Sequence, residues 1–233
     1  APVDAGEDIA SCLWYSNEKT RGGTLERLEI IGGAFYGVKF ESNWNWGLPD
    51  NERSGASGIK LVQCKIHDTG RDCIKITPGC NDISIISCEI YNSGVGPENL
   101  EQNGGPNAEG IDNVNGSRMI VKNSYFHDIS TNGLYAKGGA VDCVIEGNLF
   151  RNIGEAGIGV GFYTDGEWFD SKTNPNYYES INTIVRNNIV INTQHGGIVI
   201  VGAKNCKIYN NTVMTASPIY HAPLTFLSGE VGV

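Results

Sequence analysis

The chain repeats itself. Leu25–Phe40 (LERLEIIGGAFYGVKF) aligns without a gap on Leu61–Ile76 (LVQCKIHDTGRDCIKI). The frame returns at Ile83–Asn92, Met119–Asp128, Cys143–Asn152, Thr183–Asn192 and Cys206–Thr215. After each copy comes a short polar turn and then a second apolar pulse: GVKF, CIKI, GIDN, GLYA, GIGV, GIVI and PIYH. Self-similarity of this kind means that like units stack and bury a continuous core between them, as in a solenoid.

The pattern inside the repeat selects the kind of solenoid. Where no insertion intervenes, equivalent positions lie about 23–24 residues apart, close to a leucine-rich repeat length. Apolar and polar residues alternate with period two, β-branched residues dominate, and Gly, Asn, Asp and Ser mark the turns. No sustained helical period and no L-x-x-L-x-L signature occurs. These features predict an all-β, single-domain right-handed parallel β-helix over residues 1–233, with about seven coils and three loop insertions. Neighbouring coils would lie roughly 4.8 Å apart. Because the frame is under way by Leu25 with no capping helix before it, a longer parent chain supplying more coils is also expected.

Stacking turns the repeat into columns. Leu28, Cys64, Cys88, Ser124, Asn148, Asn188 and Asn211 form an inward column that becomes an Asn ladder. Val38, Ile74, Ile111, Leu134, Ile158, Ile198 and Ile219 form the core. Asp68, Asn92, Asp128, Asn152 and Asn192 form a turn column, because Asx side chains close turns on their own backbone. Cys64 and Cys88 act as small hydrophobes in this scheme, with Cys73–Cys80 and Cys64–Cys88 as the pairs open to a disulfide. Zinc spacing is absent.

The second pulse carries chemistry on its outward side. One outward column is Lys39, Lys75, Asp112, Tyr135, Gly159, Val199 and Tyr220; the next is Glu41, Thr77, Val114, Lys137, Gly161, Val201 and Ala222. Charge gathers on the early and middle coils, while the later ones present Gly and aliphatics. Asp72, Glu109 and Asp112 converge there from adjacent coils. Three carboxylates so close would repel one another unless a cation sits among them, and hard oxygen donors suit Ca²⁺. The alternative is a ladder of salt bridges to Lys39, Lys75 and Lys137. Three insertions, at 43–57, 93–108 and 162–180, hold Trp44, Trp46, Trp168, Phe169, Tyr177 and Tyr178. Such rings either stack on the apolar faces of sugars or pack down on the coil surface. The loop Asp165–Asp170 is acidic enough to suggest a second Ca²⁺ but lacks EF-hand spacing, and His67 and His127 read as surface groups.

On these residues the chain resembles the pectate-lyase-like superfamily of right-handed β-helix proteins. The stretch TNGLYAKGGAVDCVIEGN is similar to bacterial β-helix polysaccharide lyases, where a lysine just after the second strand pulse serves as base. An acidic-x-x-Asp pair one coil earlier, with another Asp one coil before that, resembles the calcium site of the family 9 pectate lyases. The resemblance implies Lys137 as base and Asp72, Glu109 and Asp112 as calcium ligands. The sequence departs from that family in having Glu109 where Asp is usual and Ala108 where a further Asp is expected. Around LYAK the chain also resembles the chondroitinase B and alginate lyase family, without a counterpart of its partner arginine.

The implied reaction is β-elimination on a uronate polymer. A base removes the proton at C5, alpha to the carboxylate, and the 4-linked sugar leaves; cationic charge at the carboxylate stabilises the developing carbanion. Lys137 must be neutral when it takes the proton. Lys39, Lys75 and Arg71 would hold substrate carboxylates, Tyr135 would stack or donate to the leaving oxygen, and Trp44 and Trp46 would contact sugar. The expected partner is an acidic polysaccharide, with no nucleic acid or membrane, for a monomer in a secreted or periplasmic setting. No apolar run is long enough to span a membrane. A net charge of −9 opposes a polyanion, so a local positive groove or a bridging metal is required. Two other readings stay open: a glycoside hydrolase using paired carboxylates, and a carbohydrate-binding solenoid without catalysis. The signatures of polygalacturonases and mannuronan epimerases are absent, His195-Gly196-Gly197 being a faint echo of the former.

Overall fold

The computed structural model describes residues 11–43, 52–95, 101–102, 105–216 and 222–229, with backbone only at 101–102, 105–106 and 215. Three parallel sheets form the faces of a right-handed coil. The first stacks Ser11–Tyr15, Tyr36–Phe40, Ile74–Ile76, Ile111–Val114, Leu134–Lys137, Ile158–Val160, Ile198–Val201 and Leu224–Leu227. A second seven-stranded sheet runs from Thr24–Glu26 to Lys207–Tyr209, and a third from Glu29–Ile31 to Thr212–Ala216. Each strand pairs in register with its counterpart one coil on, so a fixed offset in sequence becomes direct adjacency in space.

The bend between the second and third sheets is a single left-handed residue. Gln63, Ser87, Asn123, Gly147, Asn187 and Asn210 occupy it with φ between +52° and +69°. Asn and Gly tolerate that conformation, which explains why they recur there. The residue after the bend points inward. Asn188 Oδ1 accepts from the Asn148 backbone N–H at 2.9 Å and from its Nδ2 at 3.0 Å. Asn188 Nδ2 in turn donates to Asn211 Oδ1 and to the Ile145 carbonyl. In the turn column, Asn92 donates to Asp68, Asn152 to Asp128 and Asn192 to Asn152, at 2.8–3.1 Å. All five of these turn residues have φ between +50° and +57°.

Several expectations need correction. Among the described residues the second and third sheets have seven strands each, and the first has an eighth, Ser11–Tyr15, which pairs with Tyr36–Phe40 ahead of the first copy of the frame. Leu224, not Ile219, continues the core column beyond Ile198, Thr225 follows Val199 where Tyr220 was expected, and Leu227 follows Val201 where Ala222 was expected. Ile219 and Tyr220 themselves fall outside the described residues. Leu28 heads the inward column by sequence but is exposed. All seven cysteines are free, so neither candidate disulfide forms. Cys64, Cys73, Cys80, Cys88 and Cys143 instead fill the core beside stacked Phe126 and Phe150.

Candidate carboxylate–lysine site

The site grows from the first sheet. Lys39, Lys75, Asp112 and Tyr135 are register partners on successive strands, as are Val114 and Lys137 one column over. Asp72 and Glu109 sit just before their strands, joined by the Cys73 amide donating to the Glu109 carbonyl at 2.9 Å. Asp72, Glu109 and Asp112 each offer an oxygen within 4.8 Å of the others. All three are buried, at 0–4% exposure, so they do not lie on an open surface as the alternation suggested.

Their partners set their charge states. Asp72 Oδ1 accepts the Glu109 backbone N–H at 3.0 Å, and Thr131 Oγ1 donates to Glu109 at 2.9 Å. Burial, and then the neighbouring Glu109 carboxylate, push Asp72 well above the ordinary carboxylate range. Burial alone would raise Asp112 too, but Lys137 and Lys75 hold it below its usual value. The Lys75 ammonium pairs directly with Asp112 and lies 3.8 Å from Asp72 Oδ2. Burial opposes that charge, yet Asp112, Tyr36 and Asp72 keep Lys75 protonated above its ordinary value. Lys137 Nζ stands 3.6 Å from Asp112 Oδ1 and 4.1 Å from the centre of the Tyr135 ring. Burial, then Asp112 and Glu109, raise the Tyr135 phenol well above its normal value, so it is a neutral donor. Lys75 and Lys137, with side chains 12% and 14% exposed, are the members of the cluster that reach solvent.

The oxygen set suits a hard divalent cation. Asp72 Oδ2 and Asp112 Oδ1 are buried with no hydrogen-bond partner, and three carboxylates converge. Lys75 already supplies one positive charge at the same oxygens, so metal and ammonium compete for Asp112.

Other candidates lie elsewhere. Lys39 is buried and paired with Glu41 at 2.9 Å, not displayed on a surface. Arg71 is buried over the Phe35 ring at 5.3 Å and adds positive charge near Asp112. Trp44 and Trp46 lie outside the described residues. Of the other insertion aromatics, Phe169 packs down, edge-on to Tyr177 at 5.5 Å, and Trp168 is half-buried. Asp170 closes its own turn by accepting from Lys172 N and Thr173 Oγ1, which accounts for its place in the acidic loop. His67 is buried rather than a surface group, sandwiched against Tyr91 in a ring stack that runs on to His127 and Tyr125. Two members of the site went unassigned in sequence: Tyr36, whose ring lies 5.8 Å from both Lys39 and Lys75, and Phe162, stacked on Tyr135 at 5.2 Å. Tyr36 sits one coil before Asp72 in the same column, a signal the alignment already held.

Among solved structures, the Dettilon tailspike protein aligns with 94% of this chain and 43% of its own, at 15% identity and a TM-score of 0.58. The periplasmic alginate epimerase AlgG aligns at 12% identity with TM-score 0.54, over 94% of this chain and 58% of that one. The Agl-KA catalytic domain aligns at 10% identity with TM-score 0.51, over 93% and 40%. The chain spans less than two thirds of the length of each, and likeness at this identity establishes the fold alone. Comparison with curated protein sequences finds no match. The family profile described as a right-handed β-helix region matches residues 52–221. With its register-stacked parallel sheets, the chain belongs to the right-handed β-helix family.

Proposed function

We propose that the protein is a polysaccharide lyase that cleaves an acidic, uronate-containing polysaccharide by β-elimination, with Lys137 as the base. The observation that carries the reading is the pair of lysines, 75 and 137, that share one buried carboxylate and form the solvent-reaching tip of the cluster. Two lysines so placed have separate tasks. Lys75, kept charged by Asp112 and Asp72, neutralises the substrate carboxylate, with Arg71 behind it. Lys137, once it has given up its ammonium proton, would take the C5 proton on Nζ; the electron pair forms the C4–C5 double bond and the C4–O4 bond breaks. The Lys137 ammonium so formed, held 3.6 Å from Asp112 Oδ1 and over the Tyr135 ring, gives that proton to the departing oxygen.

Calcium belongs to this proposal. Asp72, Glu109 and Asp112 would hold the ion, which would add a second positive charge for the substrate carboxylate. Fold likeness to an alginate epimerase supports an acidic polymer as substrate and a periplasmic or secreted setting.

A second reading has its own support. Asp72 is pushed up while Asp112 is held down, and opposite shifts in neighbouring carboxyls mark an acid and its partner in glycoside hydrolysis. One assay separates the two. Ultraviolet absorbance of the unsaturated product would be followed on a panel of uronans, with Ca²⁺ and with chelator, for the wild type and Lys137→Ala. Absorbance that rises in the wild type and is lost in the folded variant supports the lyase. Reducing ends released without absorbance would replace it with the hydrolase, and a flat response on every uronan would sink it.

A further inference from the structure

A polar cavity of about 320 Å³ lies at the corner where the first sheet turns into the second. Its size falls within the range of small-molecule sites, roughly 300–1,000 Å³. Arg21, Arg53 and Arg118 line it, three of the seven arginines in the chain, with Asp82 as the acidic residue of the lining. Asp82 matches Arg118, which leaves Arg21 as a positive charge of the lining that Asp82 does not match, in a chain whose net charge is −9.

The arginines are held in place. Arg21 donates from Nη1 to the carbonyls of Glu18, Thr20 and Gly55, at 2.7–2.9 Å, which leaves its Nε and Nη2 edge without a partner among the described residues. That edge is the one that grips a carboxylate with two parallel hydrogen bonds. Arg118 binds Asp82 through Nε and Nη2 at 2.7 and 2.8 Å, leaving Nη1. Arg53 is buried and donates from Nη1 to the Trp168 carbonyl at 2.7 Å, tying the first insertion to the third. Gly79 permits this approach, since a Cβ there would stand 3.0 Å from the Arg53 carbonyl carbon.

We propose that this cavity is a subsite for an anionic sugar residue, gripping the carboxylate of a uronate along the Arg21 edge. The inference rests on the acidic polysaccharide proposed above and supplies the local positive site that the chain's overall charge demands. It adds a recognition point beyond the carboxylate–lysine cluster, on a corner column that the cluster does not use.

Gly22 gives the test. It lines the cavity at φ +72°, and a Cβ built there meets nothing within 4 Å. Asn and Asp both tolerate that backbone, so Gly22→Asn and Gly22→Asp differ essentially in charge. Galacturonate, galactose and inorganic sulfate would be titrated into the full chain by NMR, for the wild type and both variants, with thermal melts as the check on folding. The expected result is saturable binding of galacturonate, weakened by about tenfold or more in Gly22→Asp but little changed in Gly22→Asn. Galactose should bind far more weakly. Sulfate binding as tightly as galacturonate would reduce the site to a plain anion hole and overturn the proposal. Absence of galacturonate binding, or binding indifferent to Gly22→Asp, would overturn it as well. Galacturonate alone has no 4-linked sugar to expel, so this result is independent of catalysis. A chain inactive on every uronan that still binds through Gly22 would refute the lyase and keep the subsite; an active lyase indifferent to Gly22→Asp would do the reverse.

Discussion

Replacing Asn188 by Ala should be among the most damaging single polar substitutions in this molecule. The side chain is 1% exposed, and all four of its hydrogen-bonding positions are used. Its oxygen accepts from Asn148 N and Nδ2; its amide donates to the Ile145 carbonyl and to Asn211 Oδ1. Truncation strands the Asn148 backbone N–H and removes a donor from the Ile145 carbonyl, both in a core that water does not reach. The stranded N–H, at about 1–3 kcal/mol, and the three other bonds lost, at about 0.5–1.5 kcal/mol each, put the loss at about 2.5–7.5 kcal/mol. The control is Asn192→Asp in the turn column. It deletes the bond to Asn152, 2.8 Å long and exposed, while keeping a residue that tolerates the left-handed backbone. Water replaces that bond, so the change should stay within about 1 kcal/mol. Urea unfolding followed by circular dichroism and by Trp fluorescence measures both, and coincident curves license a single free energy for a solenoid. A loss below about 1 kcal/mol for Asn188→Ala would refute the claim that the inward ladder, rather than the apolar columns alone, stabilises the coil stack.

Two further outcomes follow from the packing and the charges. Gly133→Ala places a Cβ 2.4 Å from the Gly157 carbonyl oxygen and 2.8 Å from the buried Phe150 ring, and should cost about 1–3 kcal/mol in the same urea assay; an unchanged midpoint would show that the coils can part there. On the third sheet, Lys65 and then His127 hold Glu89 below its ordinary value, while His127 and then Asn152 do the same for Asp128. Lowered carboxyls contribute stability that is complete above their unfolded values, near pH 4, and lost as pH falls through the folded ones. The thermal midpoint should therefore drop more steeply below about pH 4.5 in the wild type than in His127→Gln, and parallel curves would remove His127 from the acid response.

The coil was legible in the chain because its determinants are local. Alternation of period two, left-handed Asx and Gly positions, and a repeat near two dozen residues all act within one unit. Parallel stacking in register then converts equal positions into neighbours, which is why Asp72, Glu109 and Asp112 could be grouped from sequence and meet within 4.8 Å. The columns failed only at the ends. Ser11–Tyr15 and Leu224–Leu227 pair as rungs without the full repeat around them, and Leu28 has the residue type of the inward column without its burial.

What alternation could not supply is the cover over the outward face. Lys39, Arg71 and Tyr135 project from the barrel, yet packing from neighbouring coils and insertions buries them, with Phe162 lying on Tyr135. Burial changes the chemistry: it makes Asp72 favour its proton and leaves Lys75 and Lys137 as the reachable ends of the cluster. Likewise Arg21, Arg53 and Arg118 share no column and are far apart in the chain; an insertion folded back on a corner brings them to one cavity. Sequence alone determined the repeat, its register and the set of carboxylates, because these depend on backbone preferences and equal spacing. Tertiary structure decided which charges are buried, which cations pair with them and where an anion could enter, because solvent exclusion depends on what packs above a residue and not on the residue's own neighbours in the chain.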